Sequence, residues 1–315
     1  MAKVYVPGQK QNTIAIDLGD GLSISPLSLF PIPITQYRNG RVIGYGTGFL
    51  MKPYEEGPGF LVTNYHVLTA RHPREPSRLM PGYPDSPDEL EFPLMSFEND
   101  RVNWRTGSIK DVASKDFVFL EHPDREKGVD LVALRLAAPA DALPVYLERL
   151  ELSDDIRMEA GADAFIVGFP FMGDQKLGNE HNYPIWKRAS IASEPDFPVD
   201  SLPKIYVDSA SRPGMSGSPV FLRSHSEEVF VNQKQYDLYQ QLVNGKGDVL
   251  EFLSELDTAD LKPHRVAKFR FIGVYSGRVG APAEESLQLG IVWKAEALKA
   301  LFTVDAFAKH PFPID

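Results

Sequence analysis

Residues 209–220 read Ser-Ala-Ser-Arg-Pro-Gly-Met-Ser-Gly-Ser-Pro-Val, a turn of small residues that surrounds one serine and runs into an apolar strand. A turn of this kind can hold the Ser216 hydroxyl clear of its neighbours while backbone N–H groups face the same point. Gly214 lets the main chain approach closely and take angles that a side chain forbids. Ser216 is therefore a candidate nucleophile, and the backbone of Gly214, Met215 and Ser216 is a candidate oxyanion hole. Because Gly-x-Ser-Gly also occurs in ordinary turns, the stretch needs support from elsewhere in the chain.

Two further stretches give that support. The apolar run 60–68 carries His66 towards its end, and the run 128–136 has Asp130 at the start of another strand. Base, orienting carboxylate and nucleophile are the three roles that acyl transfer requires. Their order here, His then Asp then Ser, excludes the α/β-hydrolase and subtilisin arrangements.

Taken together, these stretches resemble the motifs of trypsin-like (chymotrypsin-fold) serine proteases, in the cysteine-free bacterial branch that includes glutamyl endopeptidases. Residues 63–67 look like Thr-Asn-x-His-Val, residues 130–134 look like Asp-(Leu/Val)-Ala-(Leu/Val)-Leu, and residues 214–219 look like Gly-Asn-Ser-Gly-(Ser/Gly)-Pro. The likeness extends from about Thr47 to Phe302. It implies a catalytic triad of His66, Asp130 and Ser216.

The fold that we expect is all-β, with two six-stranded antiparallel Greek-key barrels. Short β-type runs with frequent turns support closed barrels. The N-terminal barrel would span 1–145 and the C-terminal barrel 146–315, with a closing helix at about 294–307. Residues 226–261 have apolar residues at helical spacing and predict a helical insertion in the second barrel. The insertion either covers a sheet edge or docks a regulatory partner, and residues 71–93 form a long loop or a second insertion.

Composition limits the function classes. The 315 residues carry a formal net charge of -10, which argues against a nucleic-acid partner, since phosphate contacts need clustered Lys and Arg. Mean hydropathy is -0.23, and the absence of a long apolar run argues against a membrane span. There are no cysteines, and the seven histidines are scattered, so we expect neither disulfides nor a zinc site, and no cofactor. No signal-peptide core follows Met1, which favours a cytoplasmic bacterial protein over an exported one whose leader has been removed.

The resemblance also implies how the active site is prepared. Animal trypsin-like proteases carry an aspartate just before the nucleophile, which pairs with a newly cut N-terminal amine. Met215 cannot form that ion pair, so the loop before Ser216 must be ordered by local packing, by Arg212 and Pro213, or by a partner.

The resemblance places the substrate pocket as well. Its residues would be Ala210, Ser211, Tyr275, Ser276, Gly277 and Arg278. Ala210 stands where trypsin carries an acid, so we do not expect cleavage after Lys or Arg. Glutamyl endopeptidases use a hydroxyl at the position of Ser211 and a histidine near that of Tyr275. Only the hydroxyl is kept here, while Arg278 either attracts an acidic side chain or is a solvated surface residue.

The sequence therefore predicts a serine endopeptidase that cleaves protein or peptide substrates through an acyl-enzyme. Restraint by a protein partner at 226–261, in stress or defence signalling, is the expected regulation. The alternative is a pseudoprotease whose fold serves as a protein-binding scaffold.

Overall fold

The computed structural model describes the chain in segments. They are 16–19, 22–54, 57–98, 101–110, 112, 118–136, 156–172, 175–176, 183–210, 212–229, 234, 238, 241–242, 245–254, 263–278, 288–303 and 307–309. The boundary expected between the two barrels, at residues 145 and 146, and pocket residue Ser211 lie outside these segments, as does much of the expected insertion.

The N-terminal part of the chain forms an antiparallel sheet. Its strands are β3 (Pro31–Arg38), β4 (Arg41–Met51), β5 (Gly59–Thr63), β6 (Glu89–Glu98), β7 (Arg101–Lys110), β8 (Val118–Glu121) and β9 (Val132–Leu136). Strand β18 (Phe307–Lys309) joins this sheet at β8, although its residues follow the second barrel in the chain. The spatial order is β18-β8-β9-β5-β4-β3-β6-β7, an open sheet of eight strands where six closed strands were expected.

The C-terminal part forms the closed six-stranded barrel that the sequence predicts. Its strands, in barrel order, are β10 (Asp163–Gly168), β13 (Ile185–Ile191), β14 (Lys204–Asp208), β17 (Leu289–Lys294), β16 (Pro263–Arg278) and β15 (Pro219–Val229). Two small pairs lie apart: β1 (Ile16–Gly19) with β2 (Leu22–Ile24), and β11 (Phe171–Met172) with β12 (Gln175–Lys176).

Three α-helices have described bounds, and each is short. They are α1 (Tyr65–Thr69), α2 (Val249–Ser254) and α3 (Ala295–Thr303). Residues 234, 238 and 241–242, within the expected insertion, are helical as well. Helix α3 is the expected closing helix, four residues shorter at its C-terminal end than predicted. The expected insertion begins as a β-hairpin arm, because β15 and β16 stay paired from the barrel out to Val229 and Pro263. Helix α2 lies beyond that arm, so the helical prediction holds for part of the insertion.

One apolar core joins the sheet to the barrel. Phe49 and Val62 of the sheet belong to the same buried cluster as Phe221 and Val274 of the barrel. Helix α3 adds the apolar face that its spacing predicts, with Ala297, Leu298 and Leu301 buried in that cluster. The strand ends that carry the candidate catalytic residues therefore rest on a shared support. No helix in the described segments is long and apolar enough to cross a membrane.

Candidate active site

His66 stands in the first turn of α1, directly after strand β5. The apolar run 60–68 is typical of a strand, but the extended backbone ends at Asn64, whose φ and ψ are -82° and 151°. Ala70 ends the helix in the left-handed conformation, with φ of 58°. His66 is only 7% exposed. A single short turn thus holds the imidazole at the end of the sheet.

Asp130 binds His66 twice. Its Oδ2 lies 2.6 Å from His66 Nδ1, and its Oδ1 accepts the backbone N–H of His66 at 3.0 Å. Since an ionised carboxylate can only accept, Nδ1 is the protonated ring nitrogen, and Nε2 is left to accept a proton. The Asn64 side-chain amide also donates to the Asp130 carbonyl at 2.7 Å, which ties together the two chain segments that carry the pair.

A third group reaches the same carboxylate from the barrel. The hydroxyl of Ser276 donates to Asp130 Oδ2 at 2.6 Å. Burial by itself raises the pKa of Asp130, but the charge of His66 and the hydrogen bonds from His66 and Ser276 outweigh it and leave the pKa lowered. Asp130 is therefore held as a carboxylate, in a position to stabilise a positive imidazole.

Ser216 lies beside Gly277, the residue that follows Ser276 in the chain. A Cβ placed on Gly277, the residue after Ser276, would be 3.8 Å from Ser216 Oγ. The main chain on either side of Ser216 is fixed, because the Gly217 amide donates to the Tyr275 carbonyl and the Ser216 carbonyl accepts from the Thr47 amide, both at 2.8 Å.

The turn before Ser216 leaves two amides uncommitted. The Met215 amide donates to the Arg212 carbonyl at 3.3 Å, and the Ser218 amide to the Met215 carbonyl at 3.1 Å. Within the described residues, by contrast, the amides of Gly214 and Ser216 have no acceptor. Of the three backbone positions expected at the oxyanion hole, Gly214 and Ser216 can therefore supply donors, while the Met215 amide is used inside the turn.

Two glycines allow this turn to form. Gly214 has a φ of 88°, and a Cβ there would lie 2.4 Å from the Phe169 carbonyl oxygen. Gly217 has a φ of 89°, and a Cβ there would lie 1.9 Å from the Thr47 carbonyl oxygen. Both positions require glycine, because the backbone angles are left-handed and there is no room for a side chain.

Met215 packs the turn against the apolar core of the barrel. Its side chain is 1% exposed and lies in the apolar core of the barrel, together with Ile191, Val207 and Val220. Of the ways of ordering the loop that the sequence left open, local packing is the one that these contacts support.

Thr47 anchors the turn from the sheet, and sequence reasoning did not assign it a role. Its hydroxyl donates to the Gly214 carbonyl at 2.7 Å and accepts the Phe169 amide at 3.1 Å. Its own carbonyl accepts the Thr63 hydroxyl at 2.8 Å. Thr63 and Asn64 belong to the Thr-Asn-x-His motif, so the motif could have indicated that Thr63 has a role at the site. Thr47 has no such local signal.

The expected pocket residues are distributed over several environments. Ala210 is exposed and Arg278 is exposed at the end of β16, while Gly277 lies beside Ser216. Tyr275 is 1% exposed and belongs to the barrel core, so its side chain packs inside the barrel and does not line an open pocket. Ser276, expected to contact substrate, binds Asp130. No cluster of potential metal ligands occurs among the described residues.

Residues 46–229, more than half of the chain, match the model of the trypsin-like peptidase domain. No curated protein sequence is matched.

Two of the solved structures that match this chain are proteases. The serine endoprotease from Yersinia pestis is 13% identical, with a TM-score of 0.42 over 88% of this chain and 62% of that one. The Rv3671c protease from M. tuberculosis in its active form is 13% identical, with a TM-score of 0.40 over 88% of this chain and 81% of that one. This chain thus spans less than two thirds of the Yersinia protein. The domain match shows that the chain belongs to the trypsin-like peptidase family.

Proposed function

We propose that the protein is a serine endopeptidase in which Ser216 is the nucleophile, His66 the general base and Asp130 the orienting carboxylate. The observation that carries the proposal is the shared hydrogen-bond network: Asp130 holds His66 on one side and accepts Ser276 on the other. The residue after Ser276 then lies against Ser216.

The chemistry follows from these positions. His66 Nε2 takes the proton from the Ser216 hydroxyl as Oγ attacks the substrate carbonyl carbon, and the carbonyl oxygen becomes an oxyanion. The amides of Gly214 and Ser216, which have no acceptor among the described residues, donate hydrogen bonds to that oxyanion. The imidazolium gives its proton to the leaving amine, which departs and leaves an acyl-enzyme; water then attacks by the same steps and restores Ser216.

The regulatory part of the proposal concerns the insertion. Helix α2 exposes three apolar side chains, Val249 at 57%, Leu250 at 74% and Leu253 at 53%. We place a restraining protein partner on this segment, in limited proteolysis within a bacterial cytoplasm. Replacing Leu250 and Leu253 with Ser should abolish partner binding without changing the hydrolysis of short peptides. A loss of peptide hydrolysis would contradict a docking role.

Labelling with a fluorophosphonate probe tests the central proposal. The wild-type protein should be labelled on Ser216, as located by peptide mass mapping, and both Ser216→Ala and His66→Ala should remain unlabelled. An unlabelled wild-type protein would contradict it and would favour the scaffold alternative, since a scaffold needs no activated serine.

A further inference from the structure

Lys187 is a partly buried residue whose ammonium group finds no hydrogen-bond partner among the described residues, and the triad does not use it. It lies on β13, where its neighbours Trp186 and Arg188 face outwards: Trp186 donates to the Ser28 hydroxyl, and Arg188 pairs with the exposed Asp163. Lys187 therefore faces the barrel interior, on the same side as buried Ala189 and Ile191. Its Nζ atom is buried without a partner in the described part of the chain.

Lys187 lies two strands away from the start of β15, the strand that follows the Ser216 turn, because Lys187 and Val220 flank Ile166 of β10. It pairs with Ile166 of β10. On the other side of β13, Ser190 pairs with Asp208, the last residue of β14. Continuing that register by one residue brings Ser209 alongside Ala189, two residues from Lys187 on the same face of β13.

A second orphaned polar group faces the same interior. Ser209 follows the buried, inward-facing Ile205 and Val207 at the same spacing, and its side chain is 4% exposed. Its hydroxyl oxygen also lacks a partner among the described residues. A buried hydroxyl and a buried ammonium without an acceptor are each unfavourable when left unpaired and favourable beside a bound anion.

The charges around Lys187 have the same sign. Burial lowers its pKa, and the nearby guanidinium groups of Arg212 and Arg278 lower it further. Neither arginine has a carboxylate partner within the described segments. In a chain with a formal net charge of -10, this is a local reversal of sign. Both arginines also flank the nucleophile, because the Arg212 carbonyl holds the Met215 amide and Arg278 follows Gly277.

We propose that Lys187, with the Ser209 hydroxyl, forms the base of the specificity pocket and binds the carboxylate of an acidic side chain on the residue whose carbonyl Ser216 attacks. This inference rests on the proposed function. It gives the larger role to Lys187 rather than to Arg278, since the exposed arginine is screened by water and salt while the buried ammonium is not. Arg212 and Arg278 attract the acidic side chain to the entrance, and Lys187 retains it.

Cleavage of peptide pools tests the proposal. The pools are degenerate except at one fixed position, which is Glu, Asp, Gln, Leu or Lys. We expect the wild-type protein to cleave after Glu or Asp at least about 10-fold faster than after Gln. Lys187→Met should bring Glu and Gln within about threefold of each other, and Lys187→Gln serves as a second variant. Arg188→Gln, on the outer face of the same strand, should keep the full preference, and Arg278→Gln should reduce it only about two- to threefold.

Preferential cleavage after Leu or Lys, or an acidic preference that survives in Lys187→Met, would overturn the proposal. Binding separates its failure from a failure of the proposed function. In Ser216→Ala, fluorescence anisotropy should show the Glu pool binding more tightly than the Gln pool, and the added Lys187→Met change should abolish the difference. Equal binding of the two pools to Ser216→Ala overturns the Lys187 proposal, whether or not the wild-type enzyme turns over. Selective binding supports it even if fluorophosphonate labelling fails.

Discussion

The Ser276 hydroxyl lies 2.6 Å from Asp130 Oδ2, so the barrel supplies one of the hydrogen bonds that fix the carboxylate of the N-terminal sheet. Ser276→Ala should lower kcat/KM about 10- to 100-fold, because a hydrogen bond to a charged group contributes about 1.5–3 kcal/mol. The two bonds from His66 should keep the residual activity. Steady-state kinetics on a cleavable peptide would measure the change. Ser254→Ala, on the exposed helix α2, is the control, and equal rates for both variants would show that the bond has no part in catalysis.

Acid should remove the contribution of Asp130 to stability. Its folded-state pKa is lowered, chiefly by the charge of His66 and its hydrogen bonds working against burial. The unfolded value is about 3.9, so between the two values the unfolded chain binds more protons and stability falls with falling pH. The contribution is complete above pH about 4 and is lost as pH drops through the folded pKa.

Urea unfolding of the wild type and Asp130→Asn at a series of pH values would measure this loss. The difference in unfolding free energy between the two should shrink below pH about 4. Asp196→Asn, the same change at an exposed position, is the matched control. A constant difference for Asp130→Asn would contradict the prediction.

Gly214→Ala should displace the turn that carries the oxyanion donors. A methyl group there would meet the Phe169 carbonyl at 2.4 Å as well as the unfavourable φ of 88°. Loss of one oxyanion donor lowers kcat about 10²- to 10³-fold. Gly161→Ala is a matched control, because Gly161 has a φ of 83° with open space around it. It should cost about 1 kcal/mol in stability and nothing in kcat, and a similar kcat for both variants would rule out the clash as the cause.

Met215→Ala should loosen the same turn from the core side. Replacing a fully buried methionine with alanine typically lowers the free energy of unfolding by about 2–5 kcal/mol, because it leaves a cavity in the core. We also expect slower fluorophosphonate labelling of Ser216, since the turn loses its apolar anchor. Met215→Leu nearly conserves volume and should cost less than about 1.5 kcal/mol with labelling preserved. Normal labelling of a destabilised Met215→Ala would show that the turn is ordered by other contacts.

Lys187→Met should stabilise the protein while it removes the acidic preference. The change replaces a half-buried side chain, whose buried ammonium has no partner among the described residues, with an apolar chain of similar length, and the expected gain in unfolding free energy is on the order of 1 kcal/mol. Because burial lowers the pKa of Lys187 in the folded state, the unfolded chain binds more protons between that lowered pKa and the unfolded value of about 10.4, and wild-type stability rises with pH in that window.

The gain should therefore narrow as pH rises towards about 10. Thermal unfolding at pH 7 and pH 9.5 would measure it. Arg188→Met on the outer face should change stability by no more than about 0.5 kcal/mol. A destabilised Lys187→Met would mean that the lysine stem fills space that methionine cannot.

The features that could be predicted from the sequence are those that depend on residues close together in the chain. Helix α3 follows from apolar residues at helical spacing, and the pairing of His66 with Asp130 follows from two short motifs. The closed second barrel was predicted because its strands are separated by clear turns. The eight-stranded first sheet was not, because the pairing of β18 with β8 joins residues far apart in the chain and leaves no local pattern.

The parts of the site that were missed are likewise non-local. Ser276 has the residue type of a pocket wall and of a carboxylate partner, and only the fold brings it to Asp130, 146 residues away. Lys187 sits in an ordinary strand pattern, where period-two alternation shows that it faces inwards but not which turn passes over it. Tyr275 was placed in the pocket by resemblance, yet its side chain completes the barrel core.

The bond from Thr47 to Gly214 links residues 167 positions apart, and this sets an order of events during synthesis. At translation rates of 5–20 residues per second, Thr47 leaves the ribosome roughly 8 to 33 s before Gly214. Throughout that interval the growing chain carries His66, and later Asp130, with no serine turn docked on the sheet. The turn then arrives at a surface where the threonine hydroxyl already stands. A nascent chain therefore has no nucleophile with which to cleave other proteins until the Ser216 turn of the second barrel has been synthesised.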